Sequence, residues 1–338
     1  MINFNKIQQL DMREKIRWGI VGLGNIAQKF ADDLKLLTEA ELIAVASRDI
    51  EKARNFGTLN NAKYAFGSYQ ELFDCEDVDV VYIATPHTSH AALSIEAMKQ
   101  GRNVLCEKPM GINRGEVEQM ITVARENKVF LMEALWSRFN PSIRKVKDLL
   151  DDGLIGDIAY IHADFAFFAL DRDENGRLLN PALAGGSLLD IGIYPIFLAY
   201  LILGYPEKIL ATSKIYKTGV DIQTSMIFEY ANAQAILYSG LTSDSEMKAQ
   251  ISGSDGTVYL APRWHEAEEY SIEKNGQVEK VRLPKKGKGY EYEIEEVHRC
   301  LKNGALESNY WSLKNTTDLI SIMDDIRNQT GVVFPFEK

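Results

Sequence analysis

Between residues 17 and 130, short apolar runs alternate with stretches whose apolar residues recur every three to four positions. The runs at 17–21, 42–46, 63–66, 80–84, 103–106 and 129–132 predict strands. The intervening periodicity predicts helices near 25–37, 50–56, 69–74, 89–100 and 114–127. The run at 63–66 is the least apolar of the set. The run at 80–84, Val-Val-Tyr-Ile-Ala, shows no polar alternation, as a strand covered on both faces requires. Strands alternating with helices of this length imply right-handed βαβ units and a parallel sheet between two helical layers.

After about residue 155 the pattern changes. A long strand is predicted at 158–168, then a glycine-containing turn and an apolar helix at 188–203. Strands follow at 208–216, 221–230, 233–239, 247–252, 256–260, 270–273 and 278–283, and helices near 290–303 and 313–329 close the chain. Ser254-Asp255-Gly256 and Asn275-Gly276 supply hairpin turns. Consecutive strands favour antiparallel pairing, so this half reads as α+β with a large, mostly antiparallel open sheet. The chain is thus expected to divide into an α/β domain at 15–135 and an α+β domain at 136–338, with Pro141 opening a helix that leads from one to the other. In the strands at 221–230 and 233–239, apolar residues (Ile222, Met226, Phe228, Ile236, Tyr238) recur at intervals of about two. A sheet covered by helices on one side leaves its other face to be covered by a second copy, so a homodimer or larger homo-oligomer is expected.

Composition narrows the class. At 338 residues the chain exceeds what one core ordinarily holds, and 46% hydrophobic with 25% charged residues is typical of globular proteins. A net charge of −10 argues against nucleic acid or an anionic membrane as partner. Residues 1–16 lack the apolar core of a signal peptide, and the most apolar run, 193–203, is short for a bilayer span. The segment before Arg17 is read either as an extension or as an arm packing on a neighbouring subunit, with Met12 an alternative start. Cys75, Cys106 and Cys300 are scattered and read as reduced thiols of a cytoplasmic protein. His87 and His90 lie three apart with no third ligand beside them, so no metal site is expected.

The chemistry begins at Gly22-Leu23-Gly24-Asn25-Ile26-Ala27, a G-x-G-x-x-A pattern between the first strand and the first helix. Gly22 permits the tight turn, Gly24 lets the backbone approach a pyrophosphate, and Ala27 allows close helix–strand packing. Asn25 and Ile26 open the helix whose N–H groups face the anion. This is the Rossmann fingerprint of a dinucleotide site. The second strand ends in Ala46-Ser47-Arg48-Asp49. Ser47 and Arg48 suit a 2′-phosphate, which favours NADP over NAD, while Asp49 reads as the N-cap of the next helix. The competing reading gives the ribose to Asp49 and leaves Arg48 on the surface. Thr85, Pro86, Glu107 and Lys108 lie at later strand ends, where open α/β sheets bind ligands. His90 opens the following helix, as a capping or packing residue beside the cofactor loop.

The segments GLGNIA, ATPHTSH, CEKPM and AGGSLLDIGIYP (184–195) resemble the Gfo/Idh/MocA oxidoreductase family from Arg17 to about Pro335. Within it the chain is similar to the branch of dimeric dihydrodiol dehydrogenases and NADP-dependent D-xylose dehydrogenases, on the segment 133–139, on 190–195 and on Met323-Asp324-Asp325-Ile326-Arg327. Tyr194 stands where many members have histidine, which points to the tyrosine-using branch acting on sugars and cyclic diols. The resemblance implies a cis Lys108–Pro109 bond and hydride transfer between a sugar or cyclic diol and NADP.

On that reading Tyr194 moves the hydroxyl proton, Lys108 holds and polarises the oxygen, and Asp190 orients the pair. An ammonium near a phenol draws the phenol's titration down toward working pH. Asp190 and Tyr194, spaced i, i+4 in a helical pattern, are expected on one face. A second reading makes Lys108 the proton carrier. A third, from another class, is a dinucleotide sensor without catalysis. Trp136, Arg138 and Phe167 are candidate substrate-pocket residues; strand alternation puts Phe165 and Phe167 on one side and Phe168 on the other.

Overall fold

The computed structural model describes residues 15–337, and the arm carrying Met12 lies outside the described residues. Two compact units emerge. The first is built on strands β1 (Ile16–Val21), β2 (Ala40–Ala46), β3 (Tyr64–Phe66), β4 (Val80–Ile83), β5 (Asn103–Glu107) and β6 (Leu131–Ala134). Helices α1 (Asn25–Leu34), α2 (Ile50–Asn60), α3 (Tyr69–Asp74), α4 (His90–Lys99) and α5 (Arg114–Asn127) connect them. The six strands are parallel in the order β3-β2-β1-β4-β5-β6. The direction of winding reverses between β1 and β4, which places the ligand crevice beyond their C-terminal ends. Every residue of β4 is buried, as its unbroken apolar run requires. The sequence places the sixth strand two residues early, because its apolar run begins at Val129 whereas pairing with β5 starts at Leu131.

The second unit opens with α6 (Pro141–Asp151), which carries proline in its first turn and is capped by Asn140. Strand β7 (Ile158–Ala166) follows, then a π-helical turn (Leu188–Gly192) continuing into α7 (Ile193–Leu203). Strands β8 (Lys208–Ile215), β9 (Asp221–Glu229), β10 (Gln234–Gly240), β11 (Ala249–Gly253), β12 (Gly256–Leu260), β13 (Glu269–Lys274) and β14 (Gln277–Arg282) complete the sheet. Its order is β14-β13-β12-β11-β7-β10-β9-β8, antiparallel except where β7 and β10 run together. By length and composition the segment Pro181–Leu203 passes for a membrane span, but 83% of its most apolar window is buried. It is the core helix of this unit.

That sheet has two unlike faces. Ile222, Met226 and Phe228 are buried on the helix side, whereas Ile227 and Ile236 are exposed on the other. Of the apolar residues the sequence offered for a subunit contact, three therefore face inward, because β9 alternates and both of its faces carry apolar side chains.

The chain then returns to the first unit: Lys286–Thr317, with α8 (Glu291–Lys302) and the start of α9 (Leu313–Thr330), belongs to it. A division at residue 135 does not foresee this return. Trp18 of β1 donates through Nε1 to Nε2 of His298 on α8 at 3.0 Å, and the Asp33 carboxylate accepts from the Lys288 and Tyr290 N–H groups at 2.9 Å.

Candidate active site

The glycine turn is shaped by what surrounds it. Gly22 has φ +88, and a Cβ there would lie 2.7 Å from the Ala84 backbone, so only glycine fits between the ends of β1 and β4. At Gly24 a Cβ would meet nothing within 4 Å, and Gly24, Asn25 and Ile26 are exposed. No side chain caps α1, so its first-turn N–H groups remain available to an anion. Ala46 pairs with Val21, which brings Ser47 and Arg48 out beside this turn. Ser47 is buried and its Oγ accepts from the Asp49 N–H at 3.2 Å, whereas Arg48 is exposed. Asp49 caps α2, accepting from the Glu51 and Lys52 N–H groups at 3.0 and 3.2 Å. Its carboxylate is spent on the helix, as expected. Thr85 Oγ1 is buried without a hydrogen-bond partner among the described residues, and Pro86 is exposed. Open backbone at Gly24, an uncapped helix and an orphaned hydroxyl fit a bound dinucleotide phosphate.

Beyond β5, the Lys108–Pro109 bond is cis, as the resemblance implies. Glu107 accepts from the Tyr82 hydroxyl and from the Lys108 N–H at 3.2 Å. His90 is fully buried, with Nδ1 2.8 Å from the Pro109 carbonyl and Nε2 2.9 Å from the Thr85 carbonyl. Burial lowers its pKa, and a neutral imidazole donates to only one of those carbonyls. His90 therefore ties the two loops together. Glu133, buried at the end of β6, accepts from the Met110 N–H, the Trp311 indole and the Thr316 hydroxyl, each at 3.0 Å. Burial pushes its carboxyl above the ordinary range against the pull of those donors. Trp136 stacks on Tyr290 at 4.9 Å, with planes 4° apart. Arg138 is buried and donates through Nε to the Tyr310 carbonyl at 2.8 Å, which makes it an anchor for that segment. Tyr82 and Trp311 carry no sequence signal, and Glu133 entered only as part of a motif.

The second unit holds the other predicted residues. Asp190 and Tyr194 are both about 5% exposed. They do not share one regular α-turn: Asp190 lies in the π-helical turn and Tyr194 in the first turn of α7. Hydrogen bonds of the i→i+5 type add a residue to that turn, which the four-residue spacing does not reveal. Asp190 Oδ1 accepts from Arg177 Nη1 at 2.5 Å. The Tyr194 ring lies 5.4 Å from Phe165 and 5.3 Å from His265, and His265 stacks on Phe165 at 4.3 Å. Phe165 and Phe167 are edge to face at 6.3 Å, and Arg172 lies 5.1 Å over Phe167, while Phe168 is exposed. Arg177 and His265 were missed. Arg177 sits in the loop before the π-helical turn and His265 in a short 3-10 turn (Trp264–Glu266), and no spacing rule connects either to Asp190 or Tyr194.

Residues 16–135 match the family described as an oxidoreductase family with an NAD-binding Rossmann fold, and residues 143–259 match the Gfo/Idh/MocA C-terminal domain. The chain belongs to the Gfo/Idh/MocA oxidoreductase family. It is 37% identical to trans-1,2-dihydrobenzene-1,2-diol dehydrogenase of Mus musculus, over 96% of this chain and 99% of the mouse protein. The Xenopus tropicalis enzyme of that name is 35% identical over 94% of this chain and 99% of its own. Among solved structures, a 3-ketoreductase from Actinomadura kijaniata in complex with NADP and TDP-benzene superposes with a TM-score of 0.84. Its identity is 26%, covering 94% of this chain and 98% of that one.

Proposed function

We propose that this oxidoreductase is a cytoplasmic, homodimeric, NADP-dependent dehydrogenase acting on CH–OH groups of a sugar or cyclic diol. The observation that carries the cofactor choice is the end of β2, where Asp49 is engaged as a helix cap and Arg48 is exposed beside the glycine turn. An NAD site needs a free acid there; a 2′-phosphate needs a guanidinium. The ketoreductase solved with NADP supports the same cofactor, and the dihydrodiol dehydrogenases support a diol substrate. Three free cysteines, two of them buried, support a reducing compartment.

The dinucleotide, when bound, accepts or returns hydride. This chain's residues do the rest. Gly24 and the start of α1 hold the pyrophosphate. Tyr194 takes the substrate hydroxyl proton in oxidation, and Lys108 hydrogen-bonds the same oxygen. Asp190, held by Arg177, orients that pair, and the Phe165–Phe167 wall meets the C–H surface of the substrate. The alternative keeps Lys108 as the proton carrier.

The test is a spectrophotometric screen of aldoses and cyclic diols with NADP and with NAD. One charge-assisted contact is worth roughly 1.5–3 kcal/mol, so NADP is preferred by about ten- to a hundredfold. Arg48→Ala erodes most of that preference. An enzyme that favours NAD before mutation overturns the cofactor assignment.

A further inference from the structure

In the motif at 184–195, Gly186, Ser187 and Gly192 have no part in the proposed chemistry. Gly186 and Ser187 face one buried carboxylate, and Gly192 faces a serine hydroxyl beside it. Asp221, at the start of β9, is 1% exposed, and its Oδ2 accepts from the Ser187 hydroxyl at 2.6 Å, the Leu188 N–H at 2.8 Å and the Thr224 hydroxyl at 3.1 Å. The Ser187 hydroxyl also lies 3.1 Å from the Ser239 hydroxyl on β10. Gly186 has φ +124, and a Cβ there would collide with the Asp221 carboxylate. A Cβ at Gly192 would come within 2.9 Å of Ser239 Oγ. Gly186, just before the π-helical turn, and Gly192, at its end, are thus where this segment presses onto β9 and β10.

Ser187 offers the π-helical turn no side-chain cap, and the Leu188 N–H is an unpaired first-turn donor that Asp221 satisfies from 33 residues away. Two residues after that bond stands Asp190, and Tyr194 follows one turn later. A carboxylate bonded to the first N–H of a helix holds that end of the helix against the strand that carries the carboxylate. Burial raises the Asp221 pKa, opposed by the three donors, so loss of any donor weakens the whole network.

From this geometry we infer that Asp221 is a positioning residue, which clamps the start of the π-helical turn and thereby sets where Asp190 and Tyr194 present their polar atoms. The inference rests on the reading of Tyr194 as acid/base. A misplacement of about 1 Å costs on the order of a hundredfold in rate, so the effect belongs in kcat rather than in nucleotide binding, whose residues lie on the first unit.

Asp221→Ala is compared with Asp221→Asn, Ser239→Ala and Tyr194→Phe, each in the full-length enzyme. Dinucleotide affinity is read by tryptophan fluorescence, alongside kcat, KM, the pH profile of kcat and the thermal midpoint. Asp221→Ala lowers kcat by about ten- to a hundredfold and displaces the pH midpoint of kcat, with dinucleotide Kd unchanged. Asp221→Asn, which keeps an acceptor oxygen, recovers most of the rate. A merely structural role lowers the thermal midpoint and leaves kcat and its pH profile at 20 °C as they were. That result overturns the inference. If Asp221→Ala does not fold, Ser239→Ala must still lower kcat by about two- to fivefold, the worth of one hydrogen bond. Unchanged kcat there sinks the idea. Full turnover in Tyr194→Phe defeats the acid/base reading itself, whereas a crippled Tyr194→Phe beside an active Asp221→Ala defeats only the clamp.

Discussion

Tyr194 is surrounded by Phe165 and His265 and almost closed to solvent, so its hydroxyl works in a site where neighbouring charge counts for more than in water. Replacing it with phenylalanine removes one oxygen and leaves the aromatic packing in place. General acid–base groups contribute roughly 10²–10⁴-fold, so kcat falls by about that factor while nucleotide affinity holds. On the proposed roles the phenolate is the base, so oxidation by the wild type accelerates as pH rises. On the proposed roles, Lys108→Met moves the midpoint of that rise to higher pH, since the variant lacks the cation proposed to favour the phenolate. Steady-state profiles of the two variants decide the assignment: a dead lysine variant beside a fully active tyrosine variant reverses the roles. At this scale the sequence is legible where the backbone demands a residue type. Gly22, Asp49 and Pro109 all do what local chemistry requires of them. Arg177, His265 and Asp221 were invisible, since each acts on a helix through a contact made by tertiary folding alone.

Among elements, β1 and α8 show how a distant segment is locked to the sheet. The His298 imidazole accepts the Trp18 indole N–H through Nε2, so it must be neutral, with its proton on Nδ1. Burial, with the Lys302 charge adding to it and Glu39 opposing, lowers its pKa to about 4. In the unfolded chain a histidine titrates near ~6.5. The folded protein therefore binds this proton less readily, and the stabilisation is complete above pH ~6.5 and lost as pH falls toward about 4. Each pH unit in that window costs about 1.4 kcal/mol. His298→Gln keeps an acceptor for Trp18 and does not titrate, so its urea midpoint declines less steeply than the wild type's between pH 6.5 and 4.5. Equal slopes would show that His298 is not the group responsible. The contact spans 280 residues, which is why the sequence assigned α8 to the wrong side of its domain boundary. Period and turn chemistry located the helix itself to within a residue at each end, but nothing local says which core it joins.

At the scale of the molecule, the open face of the eight-stranded sheet carries a row of side chains set by strand register. Leu210, Ile227, Ile236, His162, Gln250 and Tyr259 are cross-strand neighbours in that order, from β8 through to β12. The first three are large apolar residues, each about two-fifths exposed at 43, 38 and 43%. Apolar groups aligned across adjacent strands present a continuous strip to water rather than the scattered exposure normal on a surface. The face also carries Gln223, Ser225 and Gln234 beside that strip, a mixture that suits a contact formed between folded subunits. A stable dimer hides about 800 Å² per partner, an area within reach of eight strands. Light scattering at micromolar concentration is therefore expected to give twice the 38.1 kDa chain mass. Ile227→Lys combined with Ile236→Lys puts adjacent like charges on the paired strands, which breaks the contact. The inward-facing Met226 and Phe228 remain untouched, so each subunit keeps its core and its far-ultraviolet spectrum. A wild-type mass of one chain removes the dimer. A double variant that stays dimeric moves the contact to another face.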